Sequence, residues 1–194
     1  SHKAKVPNGE TPASQRSRSI AFLAYAALAA SSLKNQDGFN TELVVSENGF
    51  ISLNTPLTPM RVGSLSTRTT HPTYLSGIQG IFDSADIGLK IDTPYALKTK
   101  GEMLSECKNQ PLIKELAHQS TSCGRFLLFK KTHCGRCVPC LVRRAAFHKW
   151  GKVDRTTYVY KNLGKKDSEN SGFDDVRAVA MAIIQEKDVG IRRW

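Results

Sequence analysis

Residues 123 to 144 read CGRFLLFKKTHCGRCVPCLVRR, and four of the chain's five cysteines fall within them. Cys134, Cys137 and Cys140 are spaced C-x2-C-x2-C, and Cys123 stands upstream on a loop of its own. Two-residue spacers let consecutive thiolates turn onto one ion at about 2.3 Å, with backbone N–H groups of the turn facing the sulfurs. Gly135 permits the tight backbone. Three thiolates leave one corner of a tetrahedron, which Cys123 fills. A closed four-thiolate site has no position for water, so it is expected to be structural rather than catalytic. The same four ligands also suit an iron–sulfur cluster, and a redox dithiol needs a single C-x-x-C; zinc is the expected ion. His133 is read as a neighbour, because four cysteines already complete the coordination. Cys107 lies in a helical stretch and is read as a small core residue.

At 194 residues and 40% hydrophobic content, the chain can bury one core with a small appendage. Its longest apolar stretch, IAFLAYAALAA at 20–30, is about half of what a membrane span needs. No charged segment followed by a cleavage site opens the sequence, so the expectation is a cytoplasmic protein without membrane association. In a reducing compartment, clustered cysteines indicate metal or catalysis before disulfides. The formal charge of +11 and pI near 9.6 fit either a polyanionic partner such as nucleic acid or a solvated basic surface. Lysines and arginines are spread along the chain without a long run, which leaves both open.

Residues 1–13, with two prolines, a glycine and no periodicity, are expected to be a loop or tail. Ala- and Leu-rich residues from Ser14 to about Leu33 predict a buried helix. TELVVSENG (41–49) predicts a strand ended by an Asn-Gly turn, and FISLN (50–54) alternates like a second strand, the two making a hairpin. The stretch 55–72, with three prolines, has the composition of an ordered functional loop. PTYLSGIQGIFDSAD (72–86) predicts an amphipathic helix with apolar positions 75, 78, 81 and 82, and GLKIDTPY (88–95) a strand running into a turn. Two short helices follow, KTKGEMLSEC (98–107) and PLIKELAHQ (111–119), and then the loop STSCGR (120–125). FLLFKK (126–131) fits strand or helix equally. LVRRAAFHKWG (141–151) predicts a helix stopped by Gly, 161–172 a linker, and FDDVRAVAMAIIQEK (173–187) a closing amphipathic helix.

In the 55–72 loop, Arg61, Arg68 and His71 offer cationic donors, and Ser64, Ser66, Thr67, Thr69 and Thr70 offer hydroxyls. The set suits a phosphate or polar heterocycle, or else a loop that satisfies its own turns. Glu47 and Asn48 either read a purine-like edge or build the Asn-Gly turn. Of Arg143 and Arg144, one is expected to face a cleft and the other solvent.

TSC followed by CGRCVPCLVRRAAF resembles the zinc-binding end of the 7-cyano-7-deazaguanine synthase (QueC-like) family, where T-x-S-C is followed by C-G-x-C-x-x-C and an Arg-bearing helix. QRSRSIAFLAYAALAA is similar to the family's Pro-Gly-Arg-Asn helix start, and TPYALKTKGEML to its T-P-L…K-x-E-I segment, with Lys98, Lys100 and Glu102 in the matching region. The resemblance spans about residues 14 to 150 and is strongest at the cysteines. It implies an α/β fold, the C-terminal part of a Rossmann-like sheet of adenine nucleotide alpha-hydrolase type. Residues 14–122 would form the partial sheet region, 123–160 the zinc-binding segment and 173–194 a C-terminal helix. It also implies ATP- and Mg2+-dependent ligase chemistry on a 7-deazaguanine-type base, as in making the queuosine precursor preQ0.

Two departures qualify what is implied. The family's S-G-G-x-D-S loop, whose backbone N–H groups cradle ATP phosphates, occurs nowhere in this sequence. The expectation is therefore the C-terminal part of a longer enzyme, inactive alone, with the ATP loop on a missing N-terminal segment. Where the synthases carry Y-P-D-C-R, this chain has ENGFISLNTPL and STRTTHPTYL, a pattern more similar to the divergent, QatC-like members of bacterial anti-phage defence systems, which implies defence partner proteins. A non-catalytic zinc-binding module engaging nucleic acid or a defence partner is the alternative. On this resemblance Arg18 falls in the nucleotide pocket. Arg18, Glu47, Arg68, His71 and Lys100 are expected to line one cleft beside the zinc segment, with Asn48 and Arg144 as further binding residues and no catalytic residue assigned.

Overall fold

The structure, a computed structural model, describes residues 18–53, 70–164 and 175–190. They divide into two units, 18–53 with 70–97, and 98–164 with 175–190.

In the first unit, α1 (Arg18–Asp37) buries Leu23, Ala27 and Ala30, one stripe at helical spacing. The helix is not buried all round as its composition suggested, since Phe22, Tyr25 and Leu28 are 65–70% exposed. The Leu23–Ala27–Ala30 stripe, with Ala26 beside it, packs with Leu75, Ile78, Phe82 and Leu89. Strands β1 (Thr41–Val44) and β2 (Leu89–Asp92) pair in parallel, Thr41 opposite Leu89 and Val44 opposite Asp92. A parallel pair needs a crossover, supplied here by α2 (Gly49–Leu53) and α3 (Pro72–Ser84) with the chain between them.

The expected hairpin is therefore absent among the described residues, and residues 50–53 of that stretch are helix rather than strand. Asn48 decides this locally. Its side-chain Oδ1 accepts the Ile51 N–H at 3.1 Å and its carbonyl accepts the Ser52 N–H at 2.9 Å, which satisfies the first free amides of a helix. In α3, Pro72 sits in the first turn and His71 caps it, Nδ1 accepting the Thr73 N–H at 3.3 Å. Leu75, Ile78 and Phe82 are buried as their spacing predicts, whereas Ile81 is exposed. Gln79 reaches from α3 to β2, donating to the Leu89 carbonyl at 2.9 Å and accepting the Ile91 N–H at 2.7 Å. One amide side chain thus occupies the free edge of β2 as a neighbouring strand would.

The second unit holds α4 (Lys100–Glu106), α5 (Gln110–Leu116), α6 (Val138–Trp150) and α7 (Asp175–Val189). Thr99 and Glu102 close a capping box at the start of α4. Gly101 lets α4 lie directly on α6, because a Cβ there would stand 2.6 Å from Cβ of Lys149. Ala117, Phe147 and Trp150 form the core between them, joined by Leu104 and Ile113, and Trp150 Nε1 donates to Gln110 Oε1 at 3.1 Å. Cys107 closes α4 half-buried instead of entering this core.

FLLFKK is neither strand nor helix but a series of tight turns. Phe126 and Phe129 pack on the cysteine cluster, while Leu127 and Leu128 are 81% and 72% exposed. Lys130 and Lys131 take left-handed φ values of 49° and 61°, and Lys131 N–H closes back on the Phe126 carbonyl at 2.8 Å. That reversal returns the chain to Cys123.

Candidate metal centre

Three pieces of the second unit deliver the four thiols. Cys123 follows α5 on a loop, Cys134 and Cys137 flank a turn, and Cys140 lies in the first turn of α6. The turn requires Gly135. Its φ is +88°, and a Cβ would stand 2.6 Å from the Tyr160 carbonyl and 2.8 Å from the Arg144 guanidinium. The chain beyond α6 returns alongside the turn, with Val159 N–H donating to the His133 carbonyl at 2.9 Å and Tyr160 N–H to the Cys134 carbonyl at 3.0 Å. Tyr158 is buried with the cysteines.

All four thiols are free and buried, and their sulfurs lie within 4.8 Å of one another. Cys134–Cys140 and Cys123–Cys137 are each 3.9 Å apart. A tetrahedron with metal–sulfur bonds of about 2.3 Å has edges of about 3.8 Å, so these two spacings are those of a common ion. Four backbone amides face the sulfurs. Those of Arg125 and Cys134 donate to Cys123 Sγ at 3.4 and 3.3 Å, and those of Arg136 and Cys137 to Cys134 Sγ at 3.4 and 3.3 Å.

The electrostatics agree. Hydrogen bonds from Cys137 and Cys140 hold the Cys134 thiol far below its ordinary range. The same contact with Cys134 pushes Cys137 up to about 11, and contacts with Cys134 and then Cys137 raise Cys140 further. Bare sulfurs this close cannot ionise together, whereas one divalent cation stabilises all four thiolates at once. The residues present fit such an ion.

His133 stands beside the cluster but outside it. Its Nε2 accepts the Ser122 N–H at 3.3 Å, which requires a neutral ring there. Burial, followed by the charge of Arg143, lowers its pKa and keeps it neutral.

The residue that sequence reasoning underrated is Arg143, which faces neither a cleft nor solvent. It is 5% exposed, and its guanidinium donates to Thr156 Oγ1 at 2.8 Å, Ser120 Oγ at 2.9 Å and the Ala117 carbonyl at 2.6 Å. It also lies over the Phe147 ring at 5.3 Å. Those bonds tie the loop carrying Cys123 and the segment after α6 to the helix carrying Cys140. The signal was in the spacing, since Cys140, Arg143, Ala146, Phe147 and Trp150 make one buried stripe of α6. Arg144 stacks on Tyr158 with its guanidinium carbon 3.9 Å from the ring centroid, and donates to the Tyr160 carbonyl at 2.8 Å. It is held by the protein rather than free in solvent. Arg136, buried next to the ligands, donates to the Leu163 carbonyl at 3.2 Å.

Glu47 is exposed after β1; Asn48 and His71 spend their side chains capping α2 and α3; Lys100 is exposed in the first turn of α4. Lys98 pairs with Glu106. Arg68 and the side chain of Arg18 lie outside the described residues, as does the loop from 55 to 69. Glu47, Asn48 and His71 belong to the first unit and Lys100 and Arg144 to the second.

Fold and site together define a mixed α/β chain with a small parallel sheet and four buried cysteines placed to hold one metal ion. Compared with protein-family models, curated proteins and solved structures, the chain finds no match. None of its described helices is long and apolar enough to cross a membrane.

Proposed function

We propose that Cys123, Cys134, Cys137 and Cys140 hold one zinc ion as a closed structural site, and that the chain is the zinc-bearing part of a QueC-like, ATP-dependent enzyme acting on a 7-deazaguanine-type base. The observation that carries the zinc reading is the set of four buried sulfurs within 4.8 Å of one another, two pairs of them 3.9 Å apart. Four thiolates complete the coordination, so the ion supplies folding energy and no open position for substrate. Within this reading the ion joins the Cys123 loop, the Cys134–Cys137 turn and α6, and Arg143 separately ties the Cys123 loop and the segment after α6 to α6.

The enzymatic reading is supported by the order of cysteines, T-S-C before C-G-R-C-V-P-C and the arginine-bearing helix after them. Phosphate activation would come from an S-G-G-x-D-S loop on residues outside this sequence, with ATP and Mg2+ bound there. The test is pyrophosphate exchange. A protein that joins the encoded upstream segment to these 194 residues should exchange pyrophosphate into ATP when given 7-carboxy-7-deazaguanine, and these residues alone should not. Lack of exchange with the upstream segment present, or lack of an S-G-G-x-D-S motif there, would defeat the enzymatic reading and leave the zinc site standing.

A further inference from the structure

The second unit contains a groove of about 560 Å³ between the C-terminal half of α6 and the segment that returns beside it. Arg144, His148, Lys152 and Lys161 line it together with the hydroxyl-bearing Thr156 and Thr157. The buried rings of Phe147 and Tyr158 make its floor. None of these residues is a metal ligand, and apart from Arg144 none was singled out by the motifs.

Its charge is one-sided. Three permanent cations line the groove against one carboxylate, Asp154. That carboxylate is already occupied, since Oδ1 accepts the Thr156 N–H at 2.9 Å and Oδ2 accepts the Tyr158 hydroxyl at 2.6 Å. The side chains of His148, Lys152 and Lys161 have no hydrogen-bond or ion-pair partner among the described residues, and all three residues are exposed. Arg144 is held in place by the Tyr160 and Lys161 carbonyls and by the Tyr158 ring. Its charge therefore sits at the groove without any ordering cost when a ligand arrives. A fixed cation, exposed lysines and the Thr157 hydroxyl together suit tetrahedral oxyanions, above all phosphate.

We propose that this groove binds the phosphate of a nucleotide or nucleic-acid strand. Lys152 and Lys161 supply the charge that recruits it, and Thr157 and His148 supply hydrogen bonds. The volume fits one nucleotide-sized group, and the chain's charge of +11 favours a polyanion whose next phosphates continue past the rim. The proposal does not depend on the deazaguanine reading, because it rests on the lining of this groove alone.

The test uses the zinc-loaded 194-residue chain and three probes: a fluorescent single-stranded RNA of about 8 nucleotides, AMP and inorganic phosphate. The variant K152E/K161E removes the recruiting charge at two exposed positions. The control K114E/K187E makes the same charge change on α5 and α7, outside the groove. Equal zinc content and melting temperature establish that both variants fold. The groove variant should bind RNA at least tenfold more weakly than the control, with a salt dependence of log Kd shallower by about 0.7 per lost contact. Competition by AMP or phosphate at millimolar concentration would assign the site to a free nucleotide or ion, and its failure to a strand; both keep the phosphate assignment. Equal weakening in the two variants, or no binding of any probe by the parent chain, would overturn it.

Discussion

Replacing Arg143 by Ala removes three hydrogen bonds of 2.6 to 2.9 Å made by one buried guanidinium. Bonds from a charged donor contribute roughly 1.5 kcal/mol or more each, while the Ala117 carbonyl keeps one donor, the Ser120 hydroxyl at 2.8 Å. Against this stands the recovered hydration of the guanidinium, so a net loss of about 3 kcal/mol is expected. The consequence reaches the metal. Ser120 and Thr156 anchor the segments on either side of the cluster, and loss of such outer partners typically weakens a metal site by about 10–100-fold. A competition titration with a chromophoric chelator reads that change directly, beside a thermal melt. Arg143→Met fills the same space without donors and should resemble Ala in zinc affinity while melting higher. Arg143→Lys should recover less than half, because one ammonium cannot span three acceptors held in different directions. If Arg143→Ala binds zinc within twofold of the parent chain, the account of Arg143 as the brace of the site is wrong.

Three other outcomes follow from single positions. Gly135→Ala forces a Cβ to within 2.6 Å of the Tyr160 carbonyl at a φ of +88°, and should cost at least about 2 kcal/mol and lower zinc content in purified protein; an unchanged melt and full zinc content would contradict it. Burial opposes ionisation of Asp154, but hydrogen bonds from Thr156 and Tyr158 and the nearby Arg143 outweigh it and hold the carboxyl below its usual range. Its folded pKa lies below its unfolded one, so Asp154 stabilises the fold above about pH 4 and that contribution is lost as pH falls through the lowered value. The melting difference between parent and Asp154→Asn should accordingly be largest near neutrality and shrink below about pH 4; a difference that grows on acidification would reverse the sign. Gln79→Ala should expose the β2 edge, and exchange of the Ile91 amide, measured by NMR, should accelerate while that of amides in α6 does not.

The cysteine cluster was legible because its chemistry is local. C-x2-C-x2-C fixes three ligands within one turn and the start of one helix, and only Cys123 must be brought from elsewhere. The amphipathic α3 was legible for a similar reason, its buried positions lying within one stripe. FISLN was misread because a five-residue window with alternating apolar residues fits either period, and the deciding contact is the Asn48 side chain closing on Ile51 N–H. The parallel partner of β1 was hidden by distance, since β2 follows two helices later and a hairpin is the nearer guess for a strand ending in Asn-Gly. Arg143 escaped because an arginine pair after a metal motif reads as one residue for a cleft and one for solvent, and the three acceptors that offset its burial come from segments up to 26 residues away. The groove residues Lys152 and Lys161 carry no spacing signal at all. They meet only because the chain beyond α6 folds back along the helix.

The most direct test of the central claim is zinc-edge X-ray absorption on purified chain, taken with elemental analysis. The account predicts about one zinc per chain and a first shell of four sulfurs at about 2.3 Å, with no lighter scatterer. A nitrogen in the first shell at about 2.0 Å, a stoichiometric iron signal, or folded protein carrying no metal would contradict it.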